Sequence, residues 1–115
     1  MRELDTSILG SARDYALSRP YEEAAGLILN FNEPHFYPME NISSQKTFRF
    51  SLDKRVYLIR DKICSIFHSH PLSDAYPSDA DVRVSRGIGL PFLIYSCLYD
   101  NFLFFDTRKC NVVRE

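Results

Sequence analysis

A chain of 115 residues, 45% hydrophobic and 25% charged, has the size and composition of one ordinary globular domain spanning 1–115, and at that length about two-thirds of the unfolded surface is buried, enough for a core without staples. Four glycines and six prolines exclude collagen-like repeats and extended disorder, while a formal charge of −1 without a Lys/Arg block removes the footprint of a nucleic-acid binder. Cys64, Cys97 and Cys110 are an odd count without C-x-x-C spacing, two of them inside apolar runs, and read as reduced core residues of a cytosol-like compartment.

The opening MRELDTSILGSARDYALS is amphipathic, so it reads neither as a signal peptide nor as a membrane span. Over 5–18, Ile8, Ala12, Tyr15 and Ala16 recur at helical spacing, with Asp5 or Thr6 to cap the start and Pro20 to stop it. The apolar run 24–31 predicts a buried strand, and 35–39 an edge strand paired back on it, since Pro38 cannot donate to a central ladder. A second helix is expected over 51–60, capped by Ser51, with Leu52, Val56 and Ile59 on one face. The strand ICSIFHSH follows at once. SDADVRVSRG predicts a third helix with Ser78 as N-cap, acids in the first turn and Gly87 at the end. PFLIYSCL and FLFFDT form a hairpin around YDN, and a last strand is expected near 109–113. This order of elements implies a mixed sheet packed by helices in an α/β or α+β domain.

The stretch HSHPLSDAYPSDAD carries the chemistry. Successive strand side chains alternate faces, so His68 and His70 project on the same side. The turn-forming SDAYP can bring the first turn of the third helix back to them, and Asp81 then completes a His, His, Asp set. Three such ligands with an open fourth position are how catalytic zinc sites are built; zinc lowers the pKa of its water to about 7, and a carboxylate must take the proton. Each part alone has an ordinary explanation, because surface histidines are common and S-D-A-D is close to a capping box. Together, H-x-H-P and S-x-x-D separated by six residues are long and specific.

His68, Ser69, His70, Pro71, Ser78 and Asp81 fall on every defined position of H-[ST]-H-P-x(6)-S-x-x-D, so the chain resembles the JAB/MPN metalloproteases with a JAMM motif. The resemblance implies a cytidine-deaminase-like α/β fold with a curved mixed sheet and about three helices. It implies Zn2+ held by His68, His70 and Asp81, with Ser78 steadying the oxyanion. It also asks for a glutamate before the first strand. In PYEEAAGLIL, alignment on Pro20, Gly26 and Leu27 places Glu23 there as the catalytic base, with Glu22 facing the other way. Ala25 stands where many relatives have Cys, a departure at a position that is not a ligand.

The segment from RFSLDK to GLPFLIYS looks like the small prokaryotic and phage branch, in particular the JAB domain of phage tail assembly proteins. That likeness implies a peptidase or isopeptidase acting on a peptide or protein substrate, tail assembly proteins among them, in bacterial or phage-infected host cytoplasm, with no nucleic-acid or membrane partner. By the same analogy Phe92 and Tyr95 line the cleft. Phe102, Phe104 and Phe105 are expected to pack core and edge, with an exposed aromatic strand as a route to a homodimer, and His35 is expected at the surface. Two alternatives stay open: a non-catalytic MPN-type scaffold, and a RadC-type DNA-repair relative, which differs by Asn between the histidines. A barrel-type metal hydrolase needs about 250 residues, and a base deaminase needs H-x-E with P-C-x-x-C; the chain has neither.

Overall fold

The computed structural model describes residues 6–107 and the backbone of 111–114. Its elements are α1 (Thr6–Leu17), β1 (Ala25–Asn30), β2 (Pro34–Met39), a 3₁₀ segment (Lys54–Lys62), β3 (Ile63–His70), α2 (Asp79–Ile88), β4 (Phe92–Ser96), β5 (Asn101–Asp106) and β6 (Asn111–Arg114). They build one sheet in the order β2-β1-β3-β4-β5-β6. Only β3 and β4 run parallel. A parallel pair needs a long crossover, and α2 supplies it. The mixed sheet packed by helices is therefore the expected architecture.

Strand parity divides the core in two. Ile8, Ala12 and Ala16 of α1 cover Ile28, Phe67, Leu93 and Tyr95 on one face. On the other, Leu27, Ile66, Phe92, Ile94 and Leu103 pack with Leu52, Ala75 and Leu90 from the connecting segments. Both faces of β1, β3 and β4 are thus covered, which is why those strands read as continuous apolar runs rather than alternating ones. Gly26 lets β2 approach: a Cβ there would stand 2.6 Å from the Phe36 ring. β2 is the edge strand that Pro38 required, with His35 exposed on it. No helix among the described residues is long and apolar enough to cross a membrane.

Several details differ from the sequence reading. The helix expected over 51–60 is a 3₁₀ segment that starts after Asp53, whose carboxylate accepts from Arg55 N. Ser51 is engaged elsewhere: its N–H donates to Asn41 Oδ1 and its carbonyl accepts from Ile42 N. Nothing in the segment is fully buried, so no packing face enforces a 3.6-residue period, and Ile59 breaks it at φ −114°. The third helix ends at Gly89 rather than Gly87, because Gly89 adopts φ 70° and its N–H reaches the Ser85 carbonyl. Thr6 lies inside α1 rather than capping it, and Asp5 lies outside the described residues. Cys64 and Cys97 are only half-buried and form no disulfide; Lys109 and Cys110 lie outside the described residues. Phe102 and Phe105 are buried on opposite faces, with Phe104 half-buried, so this aromatic run packs the core as expected.

Candidate metal centre

The site forms where β3 hands over to α2. His68 and His70 continue the parity of Ile66, on the face opposite α1, and both are buried. The chain after His70 folds back at once: His70 Nδ1 donates to the Asp74 carbonyl at 2.8 Å, Ser96 Oγ donates to the Ser73 carbonyl at 2.7 Å, and Asp74 Oδ1 caps a turn at Tyr76 N. α2 then starts in a full capping box. Ser78 Oγ accepts from Asp81 N at 3.1 Å, and Asp81 Oδ2 accepts from Ser78 N at 3.0 Å. The box fixes the rotamer of Asp81 over the strand end. Capping and a ligand role are therefore compatible at the same residue.

Asp81 faces both imidazoles. Its Oδ2 lies 3.1 Å from His70 Nε2 and its Oδ1 lies 3.2 Å from His68 Nε2. Because Nδ1 of His70 carries the proton donated to Asp74, Nε2 of the neutral ring bears a lone pair and faces a carboxylate oxygen. Two acceptors at that distance need a proton or a cation between them. The His68 contact is close enough for charge attraction but misaligned for a hydrogen bond, so both ring nitrogens of this buried residue stay without a hydrogen-bond partner among the described residues. Such an orphan calls for a ligand. One tetrahedral zinc with bonds of about 2.0–2.2 Å sets neighbouring ligand atoms about 3.3–3.6 Å apart, close to the spacing seen. The residues fit the ion.

Glu23 completes the cluster. One ligand atom each from Glu23, His68 and His70 lie within 4.8 Å of one another, all three residues buried. Burial raises the Glu23 pKa, opposed by the two histidines and reinforced by the Asp81 charge. For Asp81, burial pushes upward but the attraction of the nearby His68 and the hydrogen bonds from His70 and Ser78 win, and the pKa is lowered. For His70, burial pushes downward and the hydrogen bonds to Asp81 and Asp74 win, so the pKa is raised. Glu22, in the bend that precedes β1, is not part of that cluster.

The segment bearing Glu23 is tied down on both sides. Ser69, between the histidines, accepts from Ala24 N through its Oγ and donates its own N–H to the Ala24 carbonyl, each at 2.9 Å. On the other side Glu23 N donates to the Lys46 carbonyl at 2.6 Å, and Asn41 Nδ2 donates to the Glu23 carbonyl at 2.8 Å. Glu23, Ser78 and Asp81 line a cleft of about 90 Å³ with Arg49 and Phe50. A larger groove of about 440 Å³ lies between β1, β2 and the 3₁₀ segment. Its charged groups, Asp53 and Arg55, are paired with each other, whereas the smaller cleft holds the clustered carboxylates.

Two contributors escape sequence reasoning. Phe50 stacks on the His68 ring at 4.4 Å, with planes 19° apart, and nothing in FRFSL signals it. Asn41, 1% exposed, is a hub that also donates to Arg49 O and accepts from Ser43 N and Ser51 N. Its only sequence trace is an Asn in a polar stretch. Of the two aromatics assigned to the cleft by analogy, Phe92 does meet His68 edge-on at 5.2 Å. Tyr95 does not: it has the opposite strand parity, packs on Phe102 and donates to Asp100 Oδ1.

The fold is shared with solved structures of low sequence similarity. A protein from Desulfitobacterium hafniense matches with a TM-score of 0.68 at 24% identity, covering 96% of this chain and 86% of that one. A JAB1/MPN domain protein from Archaeoglobus fulgidus matches at 0.60 and 20% identity, covering 92% and 89%. A protein from Salinibacter ruber matches at 0.54 and 22% identity, covering 96% and 86%. No curated protein matches the chain. Residues 5–108 match the family described as prokaryotic homologs of the JAB domain, and the chain belongs to that family.

Proposed function

We propose that the protein is a zinc-dependent peptidase or isopeptidase in which His68, His70 and Asp81 hold the metal and Glu23 is the general base. The observation that carries this reading is the buried convergence of two imidazole nitrogens and a carboxylate at 3.1 and 3.2 Å, with Glu23 alongside. Zinc, when bound, would supply an activated water and polarise the scissile carbonyl. Glu23, its proton affinity raised by burial, takes the proton of the attacking water and returns it to the leaving amine. The Ser78 hydroxyl accepts from Asp81 N, which leaves its own proton to donate to the developing oxyanion. Asp74 and the capping box hold His70 and Asp81 in place through the reaction. The likeness of the sequence around GLPFLIYS supports a phage tail assembly protein or a bacterial relative in the cytoplasm, with a peptide or protein as substrate.

Elemental mass spectrometry of purified wild type, Asp81→Ala and Glu23→Gln tests the assignment, together with hydrolysis of a quenched-fluorescence peptide library. Wild type should carry one zinc per chain. Asp81→Ala should lose it, while Glu23→Gln should keep it and turn over about 10²–10⁴-fold more slowly. Equal zinc loss in the two variants would contradict the roles. A folded wild type that refuses added zinc would leave the scaffold reading in its place.

A further inference from the structure

We propose that Arg49 determines the specificity of the cleft by reading a carboxylate on the substrate, an inference that rests on the peptidase reading above. Arg49 lines the same cleft as Glu23, Ser78 and Asp81. It is the cationic residue among the described residues lining it; Phe48, Phe50, Ala80 and Val84 are apolar. Two acidic side chains in so small a space would repel an anionic substrate. A cationic residue on the wall offsets part of that repulsion and gives a carboxylate a partner there.

The backbone of Arg49 is fixed in relation to the reacting groups. Its N–H donates to the Gln45 carbonyl and its own carbonyl accepts from Asn41 Nδ2, each at 2.9 Å. The same Asn41 amide nitrogen donates to the Glu23 carbonyl at 2.8 Å, so Arg49 and Glu23 hang from one buried side chain. Phe50, the next residue, stacks on His68. The wall from Phe48 to Phe50 is thus set at both ends, and the Arg49 stem leaves from a preformed position.

The guanidinium itself is uncommitted. Among the described residues it makes no ion pair and no hydrogen bond. The obvious partners are engaged, Asp81 by both histidines and Ser78, and Glu23 within the histidine cluster. A planar fork of donors beside a cleft, held at its backbone and free at its tip, suits a carboxylate bound by two parallel hydrogen bonds. That carboxylate comes either from the end of a peptide chain or from an Asp or Glu side chain. Phe48, 72% exposed beside Arg49, offers apolar contact to the flanking residue.

Four acetylated alanine pentapeptides separate these sources: Glu or Gln at the fourth position, each ending in a free carboxylate or an amide. Their binding is followed by calorimetry and by amide chemical shifts, on zinc-loaded and on metal-free protein. Peptides bearing the recognised carboxylate should bind about tenfold tighter or more than their neutral twins, with the Arg49 and Phe50 amides shifting. Arg49→Ala should erase the difference and Arg49→Lys should keep part of it. Whichever pair shows the difference, Glu against Gln or acid against amide, identifies the source. Equal binding of all four peptides, no binding at millimolar concentration, or an acid preference that survives Arg49→Ala overturns the proposal. None of these readouts needs turnover, so a protein that binds acids through Arg49 but hydrolyses nothing would refute the peptidase reading alone.

Discussion

The two faces of the central sheet are buried alike and built differently. Under α1, Ala12, Ala16, Ile28, Phe67 and Leu93 are all 0% exposed and wholly apolar, and Phe36 meets Phe67 edge-on at 5.4 Å. On the opposite face Ile66, Phe92 and Ile94 are just as deeply buried, but they share the space with Glu23, His68, His70 and Asp81. Adjacent residues of one strand, Phe67 and His68, thus serve opposite ends. Burying apolar surface stabilises, whereas burying imidazole and carboxylate costs several kcal/mol unless each finds a partner. The face under α1 carries the fold, and the face under α2 gives up stability to hold a donor set.

The contrast breaks most visibly in stability measurements. Phe67→Ala should lower unfolding free energy by about 3–5 kcal/mol, in the presence or absence of zinc and without changing zinc stoichiometry; calorimetry and elemental analysis read both. Zinc should do the reverse. At a thousand times its dissociation constant it should stabilise the wild type by about 4 kcal/mol and leave Asp81→Ala unmoved. An equal rise in the melting temperature of that variant would remove Asp81 from the donor set.

A pH series sharpens the same contrast. In metal-free protein the raised His70 pKa contributes stability that is full below the ordinary histidine value of 6.5 and is lost as pH rises through the shifted value. The lowered Asp81 pKa contributes stability that is full above the ordinary value of 3.8 and is lost on acidification. The metal-free protein should therefore be most stable between these values and weaken toward alkaline pH. Zinc needs the Nε2 lone pair of His70, so the zinc-dependent gain in melting temperature should grow from about pH 5 to about pH 8. A gain independent of pH would mean that no histidine is deprotonated on binding.

Much of this was legible because it is local. The run ICSIFHSH reads directly as β3 with its histidines on one face, and the S-x-x-D box of α2 is written within four residues. Glu23 needed the family resemblance, since EE before a strand carries no signal of burial, and alignment on Pro20, Gly26 and Leu27 then chose it over Glu22. What stayed illegible depends on partners distant in sequence. Ser51 looks like a helix cap until Asn41, ten residues earlier, claims its N–H. Gly87 and Gly89 are equivalent stop signals until Gly89 takes the left-handed conformation and the Arg60 guanidinium meets the Ile88 carbonyl. Asn41 and Phe50 act across the fold, on the segment that leads into β1 and on β3, and no periodicity or spacing encodes such contacts.

Ser69 tests whether the two faces are independent. By parity it belongs with Phe67, yet its Oγ is the acceptor for Ala24 N, one residue from Glu23, the proposed general base. Ser69→Ala leaves that buried N–H without its side-chain acceptor, which costs about 1–3 kcal/mol. Ser69→Thr keeps the hydroxyl and should restore stability. The telling measurement is a split in kinetics on the zinc-loaded protein. If Ser69 positions Glu23, Ser69→Ala should lower kcat with little change in KM or in zinc content, and Ser69→Thr should recover it. If Ser69 only fills space, both variants should lose stability while the folded fraction turns over at the wild-type rate, and the two faces of β3 would then be separable in function as they are in composition.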